Sequence, residues 1–267
     1  DKIYTAIKNK IVPNYSKELQ IALEAAVKAG ENIMEVYNST ESINYERKAD
    51  DSPLTIADKK SHNTIIDFLK DTDIDIISEE SKSIEYQERK NWEEYWLIDP
   101  LDGTKEFIKK NGEFTVNIAL IKNNKPHLGI VYCPVKKILY WNDNDKKVFK
   151  REKEETREIK KRKPINENEE GLRVVVSRSH MSEETSEYVN KLTRPELISC
   201  GSSLKFLYIA DNKADIYPRF GPTMEWDTAA AHSILNALEI HVINLDTGRE
   251  LSYNKENLLN PYFIIKA

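Results

Sequence analysis

The stretch that most constrains this chain is WLIDPLDGTKEF, residues 96–107. Residues 95–98 form an unbroken apolar run, short enough for a buried strand. The run ends on a carboxylate, Asp99. Pro100 follows, and because it lacks an N–H and fixes φ, regular pairing is expected to stop there. A second carboxylate, Asp102, comes three residues after the first. Gly103 permits a tight backbone, and Thr104 can open a helix. Two acids at a strand end, next to free helix N–H groups, can hold divalent cations and a phosphate together. The plain alternative is a turn, since Asp-Pro and Asp-Gly are common turn dipeptides. Two other stretches bear on that choice. Ser78-Glu79-Glu80-Ser81 follows the mostly apolar residues 74–77, and Trp226-Asp227-Thr228 heads an Ala-rich helical stretch. Three element ends thus offer four or five acids, the oxygen-rich set that Mg²⁺ takes.

Around these ends the pattern alternates strands and helices. Residues 16–37 carry apolar residues at helical spacing, with Ser16 placed as the N-cap. Residues 45–51 are polar and extended. A helix is expected from about Thr55 to residue 69, where Thr55 and Asp58 read either as a capping box or as a site with Asp58 supporting a metal. Residues 74–78 form a strand and residues 83–94 a charged surface segment. Residues 115–121 and 126–132 flank Asn123-Asn124 as a hairpin, and a second hairpin follows over residues 138–150. Its turn, Asn142 to Asp145, lacks the Gly and terminal Glu of a calcium loop. Residues 152–170 are almost wholly polar and are expected to be a solvated loop. Beyond them, strands at 172–176, 197–199, 214–217 and 240–243 alternate with helices at 182–192, 201–210 and 228–238. That alternation implies a layered α/β architecture.

Composition excludes several classes. A net charge of −5 argues against bulk binding of nucleic acid. No apolar run approaches the roughly 20 residues that span a bilayer, so no transmembrane segment is expected. Cys133 and Cys200 sit in no zinc-like spacing and suit a reducing cytoplasm. There is no Gly-x-Ser-x-Gly elbow, Cys-centred phosphate loop or P-loop. The five histidines do not cluster in the sequence. What remains is water made nucleophilic by divalent metal, attacking a phosphomonoester without a covalent intermediate.

DPLDGT at 99–104, Glu79-Glu80 and Trp226-Asp227 together resemble the inositol monophosphatase superfamily of lithium-sensitive, Mg²⁺-dependent phosphatases. The resemblance covers residues 16–263. It implies an α/β (α+β) fold, the layered αβαβα sandwich of the inositol monophosphatase and fructose-1,6-bisphosphatase type. Residues 1–151 would form an N-terminal α+β subdomain with most metal ligands, and 152–170 the charged loop. Residues 171–267 would form a C-terminal α/β subdomain with the substrate-binding groups and the last ligand. By resemblance, Glu79, Asp99, Asp102, Asp227 and the Leu101 carbonyl hold two or three Mg²⁺ ions. Thr104, paired with Glu79, would orient the attacking water. Glu80 and Asp58 would lie nearby, with Thr55 supporting Asp58, which shifts Asp58 from cap towards site.

Within the superfamily, GTKEFI at 103–108 and NGEFTVNIAL at 111–120 resemble the CysQ-type 3′(2′),5′-bisphosphate nucleotidases. So do SRSH at 177–180, GSSLKF at 201–206, ADIYPRFGPTMEWD at 214–227 and YNKENLLNP at 253–261. The substrate implied is adenosine 3′,5′-bisphosphate, cleaved to AMP and phosphate by a phosphoric monoester hydrolase of sulfur metabolism. Gly103, Thr104 and Asp227 would meet the scissile phosphate side. Ser177, Arg178, His180, Ser202, Lys205 and Arg219 would grip the second phosphate through charge-assisted hydrogen bonds. The alternatives are an inositol or sugar phosphomonoesterase of the same superfamily, or a non-catalytic nucleotide-binding regulatory protein. A cytoplasmic monomer is expected, with peripheral association at the inner membrane left open. Two departures stand out. Ala231 replaces a Gly common after Trp-Asp-x-Ala-Ala, and Leu238-Glu239 stands near the place of a Gly-Gly. Both bear on how that helix ends.

Overall fold

The chain's first long helix, α1 (Lys17–Tyr37), starts at Ser16, whose hydroxyl accepts the Leu19 N–H at 3.3 Å. Leu19, Leu23, Ala26 and Ile33 lie on its buried side. The computed structural model describes residues 15–39, 45–48, 53–177 and 181–267. A two-stranded ribbon, β1 (Tyr45–Arg47) with β2 (Pro53–Thr55), leads into α2 (Ile56–Leu69). Thr55 closes a full capping box there. Its hydroxyl accepts from Ala57 and Asp58, while the Asp58 carboxylate takes the Thr55 N–H at 2.7 Å.

Seven strands form the larger sheet among the described residues. They are β3 (Ile76–Ser78), β4 (Glu94–Asp102), β5 (Thr115–Lys122), β6 (Lys125–Cys133), β7 (Ile138–Asn142), β8 (Val148–Glu152) and β9 (Glu155–Ile159), paired in that order. The short helix α3 (Tyr86–Arg89) precedes β4, and α4 (Thr104–Ile108) follows it. The β3–β4 pair is parallel and the rest are antiparallel. Asn123 and Asn124 both take positive φ, as a tight β5–β6 hairpin requires.

The second sheet runs β11 (Glu196–Cys200), β10 (Arg173–Ser177), β12 (Ile216–Arg219), β14 (Phe263–Lys266), β13 (Val242–Asn244). Between the sheets lie α6 (Leu204–Ala210) and α7 (Glu225–Ala237), and α5 (Glu183–Val189) covers the outer face. Strand period places Trp96 and Ile98 against α1 and α2, and Tyr95 and Leu97 against the inter-sheet layer. The order helix, sheet, helix, sheet, helix is the αβαβα sandwich expected. Helix α7 reaches the sheet closely because Gly129 has no side chain; a Cβ there would lie 2.0 Å from the Ala230 carbonyl.

The structure refines several expectations. Strand β4 does not end at Pro100. Its pairing lapses between Asp99 and Asp102, then resumes opposite Thr115, and the freed Pro100 carbonyl takes the Ser61 hydroxyl at 2.6 Å. Residues 152–170 are not all solvated loop, because Glu155–Ile159 forms the edge strand β9, and Arg162 is tied to Asp215 at 2.8 Å. Alternating charged residues suit an edge strand, which propensity and polarity alone do not distinguish from a loop. Residues 83–94 are not simply surface, since Arg89 is buried and anchored. Helix α7 ends without Gly-Gly. Glu239 takes φ 61°, and bonds from Ile240 N to Leu235 O and from Glu239 N to Asn236 O complete a Schellman motif.

Candidate active site

Parallel pairing of β3 with β4 sets Ser78 opposite Ile98, so the next residues, Glu79 and Asp99, emerge side by side at one sheet edge. The Glu79 N–H on the Ile98 carbonyl, 3.1 Å, fixes that alignment. From the other direction comes the N-terminus of α7, with Asp227 in its first turn. One Asp227 oxygen accepts the Met224 N–H at 2.8 Å, a capping interaction that Met224's own side chain cannot supply. Ligand oxygens of Glu79, Asp99 and Asp227 then lie within 4.8 Å of one another.

Asp102 lies beside this trio on the far side of the bulge. Its Oδ2 accepts the Ser203 N–H at 2.6 Å and the Ser203 hydroxyl at 2.7 Å, with Asn117 Nδ2 at 3.4 Å. The Leu101 N–H donates to Asp99 Oδ1 at 3.1 Å, which leaves the Leu101 carbonyl facing Thr104 Oγ at 3.3 Å. Gly103, at φ 94°, makes the turn between Asp102 and α4. A Cβ there would press on the Glu113 carbonyl at 3.1 Å and on Ser202 at 3.2 Å.

The electrostatics are those of acids crowded together. Burial, and then the charges of Glu79, Asp102 and Asp227, hold the Asp99 carboxyl well above the usual range. Burial and Asp102 push Asp227 up to about 8. Asp102 is also raised by burial, but Lys205 and Ser203 oppose the rise. Crowded hard-oxygen donors that repel one another match the coordination chemistry of Mg²⁺, whose charge would relieve that repulsion. The donor set therefore fits the cation that the motifs imply.

The supporting residues are arranged differently from expectation at one point. The Thr104 hydroxyl donates to Asp58 Oδ1 at 3.1 Å, so its partner is Asp58 rather than Glu79. One Asp58 carboxylate oxygen caps α2, as the capping-box reading expects, and the other takes Thr104. Thr55 also gives its hydroxyl to Asp58 at 2.5 Å. Burial raises the Asp58 carboxyl, against the pull of Thr55, Lys48 and Thr104. Glu80 is raised by burial and lowered by Lys48.

Lys48 was not singled out from the sequence. It reaches Glu79 at 2.8 Å and Glu80 at 2.5 Å, and although burial disfavours its charge, those two acids raise its pKa. Nothing in a lone lysine on a polar stretch predicts this, since about 30 residues separate the partners. Ser203 and Asn117 were also missed. GSS offers two adjacent serines, and only the turn geometry, with Ser202 at φ 45°, decides which one meets Asp102.

Among the second-half candidates, Lys205 is buried, donates to the Ser202 carbonyl at 2.9 Å and lies over the Tyr217 ring. Arg219 ends β12 and donates to the Pro222 carbonyl at 3.0 Å, while its Nε and the Ser202 Oγ are buried without a partner. Ser177 ends β10 opposite Cys200 in register, next to the GSS turn. Arg178 and His180 lie outside the described residues.

Known proteins resemble this chain along nearly its whole length. The inositol monophosphatase family pattern matches residues 14–262. The 3′(2′),5′-bisphosphate nucleotidase CysQ of Salmonella typhimurium is 46% identical over 248 residues, 92% of this chain and 98% of that protein. The Haemophilus influenzae protein of the same name is 34% identical over 92% of this chain and 91% of its own. The crystal structure of CysQ from Bacteroides thetaiotaomicron, a bacterial member of the inositol monophosphatase family, superposes with a TM-score of 0.82 at 44% identity. That match covers 92% of this chain and 96% of the other. Thermotoga maritima IMPase, at 20% identity and TM-score 0.75, shares the fold. A pattern matched along nearly the whole sandwich, with relatives covered almost end to end, places this chain in the inositol monophosphatase family.

Proposed function

We propose that the chain is a Mg²⁺-dependent 3′(2′),5′-bisphosphate nucleotidase that releases phosphate from adenosine 3′,5′-bisphosphate and leaves AMP. The observation that carries the metal-dependent reaction is the meeting of Glu79, Asp99 and Asp227 oxygens within 4.8 Å. The substrate is supported by the 46% identity to a protein named for that activity. A monophosphate needs only the cradle, whereas a bisphosphate needs a second cationic grip. Arg219 and Ser202, with buried donors lacking partners, are suited to supply it.

Glu79, Asp99, Asp102, Asp227 and the Leu101 carbonyl would hold two or three ions. Bound Mg²⁺ supplies an acidified water and neutralises charge on the phosphate. Thr104 spends its proton on Asp58, so its oxygen lone pairs remain free to accept a hydrogen bond from the attacking water and set its direction. Asp58 is itself locked by Thr55, which fixes Thr104 in turn. Lys48 keeps Glu79 and Glu80 from splaying apart. Ser203 and Asn117 hold Asp102 in one orientation, as donors around a ligating carboxylate commonly do. Lys205 balances part of the Asp102 charge, and Ser177, Arg178, His180 and Gly103 complete the proposed substrate side. No described helix is long and apolar enough to cross a membrane.

The test compares phosphate release from adenosine 3′,5′-bisphosphate and from inositol 1-phosphate, in Mg²⁺ and with chelator. The nucleotide should turn over faster, and chelator should abolish both rates. Equal or better turnover of the inositol ester would remove the nucleotide assignment, and rates that persist in chelator would remove the metal.

A further inference from the structure

Three carboxylates held within 4.8 Å repel one another, and Asp227 is the one carried on an element from the second half of the chain. Something must press the start of α7 towards Glu79 and Asp99. The structure holds a device suited to this outside the cradle. Glu225, two residues before Asp227, is completely buried. Its carboxylate accepts the Asn254 N–H at 2.8 Å, the Lys255 N–H at 3.0 Å and the Lys255 ammonium at 2.5 Å. Its own N–H donates to the Leu258 carbonyl at 2.9 Å. Asn260 grips the same helix end, donating to the Met224 carbonyl at 2.9 Å and to Thr228 Oγ at 3.1 Å.

This terminal segment is tied to the first half of the chain by a buried arginine. Arg89 donates to Asn254 Oδ1 at 2.7 Å, to the Lys255 carbonyl at 2.8 Å and to the Glu256 carbonyl at 2.9 Å. Asn254 Nδ2 returns a bond to the Arg89 carbonyl at 2.8 Å. An ion pair with a buried partner, such as Glu225 with Lys255, is often no more stabilising than an apolar pair of similar volume, so its value here is geometric. Met224 joins the two systems, because its N–H caps onto Asp227 while its carbonyl is held by Asn260.

We propose that Glu225, clamped by Lys255 and by the Arg89-anchored segment, is a positioning residue that sets Asp227 against Glu79 and Asp99 and thereby tunes divalent-cation affinity. The inference rests on the reading of Asp227 as a ligand. It is tested by titrating Mn²⁺ alone into the chelator-stripped full chain, with free Mn²⁺ followed by electron paramagnetic resonance. The variants are Glu225→Gln, Lys255→Met, Asn260→Ala, Asp227→Asn and, as a control for general destabilisation, Asp215→Asn.

Asp227→Asn should weaken the tightest Mn²⁺ binding by about 100-fold. Glu225→Gln, Lys255→Met and Asn260→Ala should each weaken it by about tenfold, the usual effect of losing support behind a ligand. Asp215→Asn should stay within about twofold of wild type. Wild-type affinity in the folded clamp variants, with Asp227→Asn weakened, overturns the clamp and spares the ligand. Unchanged affinity in Asp227→Asn overturns the ligand reading itself. A loss in Asp215→Asn equal to that in the clamp variants reduces the clamp to ordinary stability and overturns it too.

Discussion

Two buried groups of acids behave in opposite ways. At Asp215 the carboxylate meets cations: Arg173 and Arg162 each approach to 2.8 Å, and the Arg173 N–H adds a further bond. Burial alone would raise Asp215, but those donors outweigh it and hold the carboxyl well below its ordinary value. In the cradle, Asp99 and Asp227 meet other carboxylates, and both are pushed up. The first arrangement is complete within the protein and ties residue 162 and β10 to the start of β12. The second leaves carboxylate against carboxylate, a group able to hold a metal ion. Buried acids become legible as structural or functional once the charge of their neighbours is known.

The largest expected effect separates the two groups by activity. Asp102→Asn should lower phosphatase turnover in saturating Mg²⁺ by about 10²–10³-fold, in the range of losing one strong electrostatic element of a reacting site. Its thermal midpoint should hold or rise, because a crowded charge is gone. Asp215→Asn should do the reverse, with turnover near wild type and stability down by about 2–3 kcal/mol, read by urea unfolding. Activity surviving in Asp102→Asn would erase the contrast.

The pH dependence should also oppose. A carboxyl raised in the folded state favours folding below the unfolded value of about 4 and loses that advantage as pH climbs. For Asp227 the loss runs from about 4 to about 8. Wild type in chelator should therefore become less stable over that window. Asp227→Asn should flatten the decline, and Mg²⁺ at pH 8 should restore the midpoint. Asp215 is depressed, so its contribution is present above about 4 and disappears on acidification. Asp215→Asn should flatten only the acid limb. Parallel pH profiles for the two variants would contradict the contrast.

Smaller effects sharpen the picture. Ser203→Ala removes one of the two Ser203 donors to Asp102, the hydroxyl, while the N–H stays, and should cost about tenfold in turnover with a raised Mg²⁺ requirement. Ser202→Ala should leave the Mg²⁺ requirement unmoved, which separates the neighbouring serines. Smallest of all, Glu239→Gly should stabilise the protein by about 1 kcal/mol. It relieves a non-glycine residue at φ 61°, and the exposed Lys161 pair it gives up contributes little.

Much of the site was legible in the chain itself because its acids sit where elements end. An apolar run closing on Asp99, another closing on Glu79, and Asp227 at a helix start are local patterns, and local patterns survive in one dimension. The Thr55–Asp58 cap was readable for the same reason, as were the hairpin at Asn123-Asn124 and the order of strands and helices. The partners were not. Lys48 with Glu79, Ser203 with Asp102, Arg89 with Asn254 and Thr104 with Asp58 join residues separated by about 30 to 165 positions. No periodicity encodes such pairings. The pairing of β3 with β4, the bulge at Pro100 and the approach of α7 over Gly129 bring them together. Residue types and the order of most elements therefore came from sequence, while the run of β4 past Pro100 and the edge strand β9 did not. Which carboxylate is neutralised, which is left crowded and which serine does the holding were decided by tertiary structure, because charge and hydrogen bonding act through distances that only the folded chain sets.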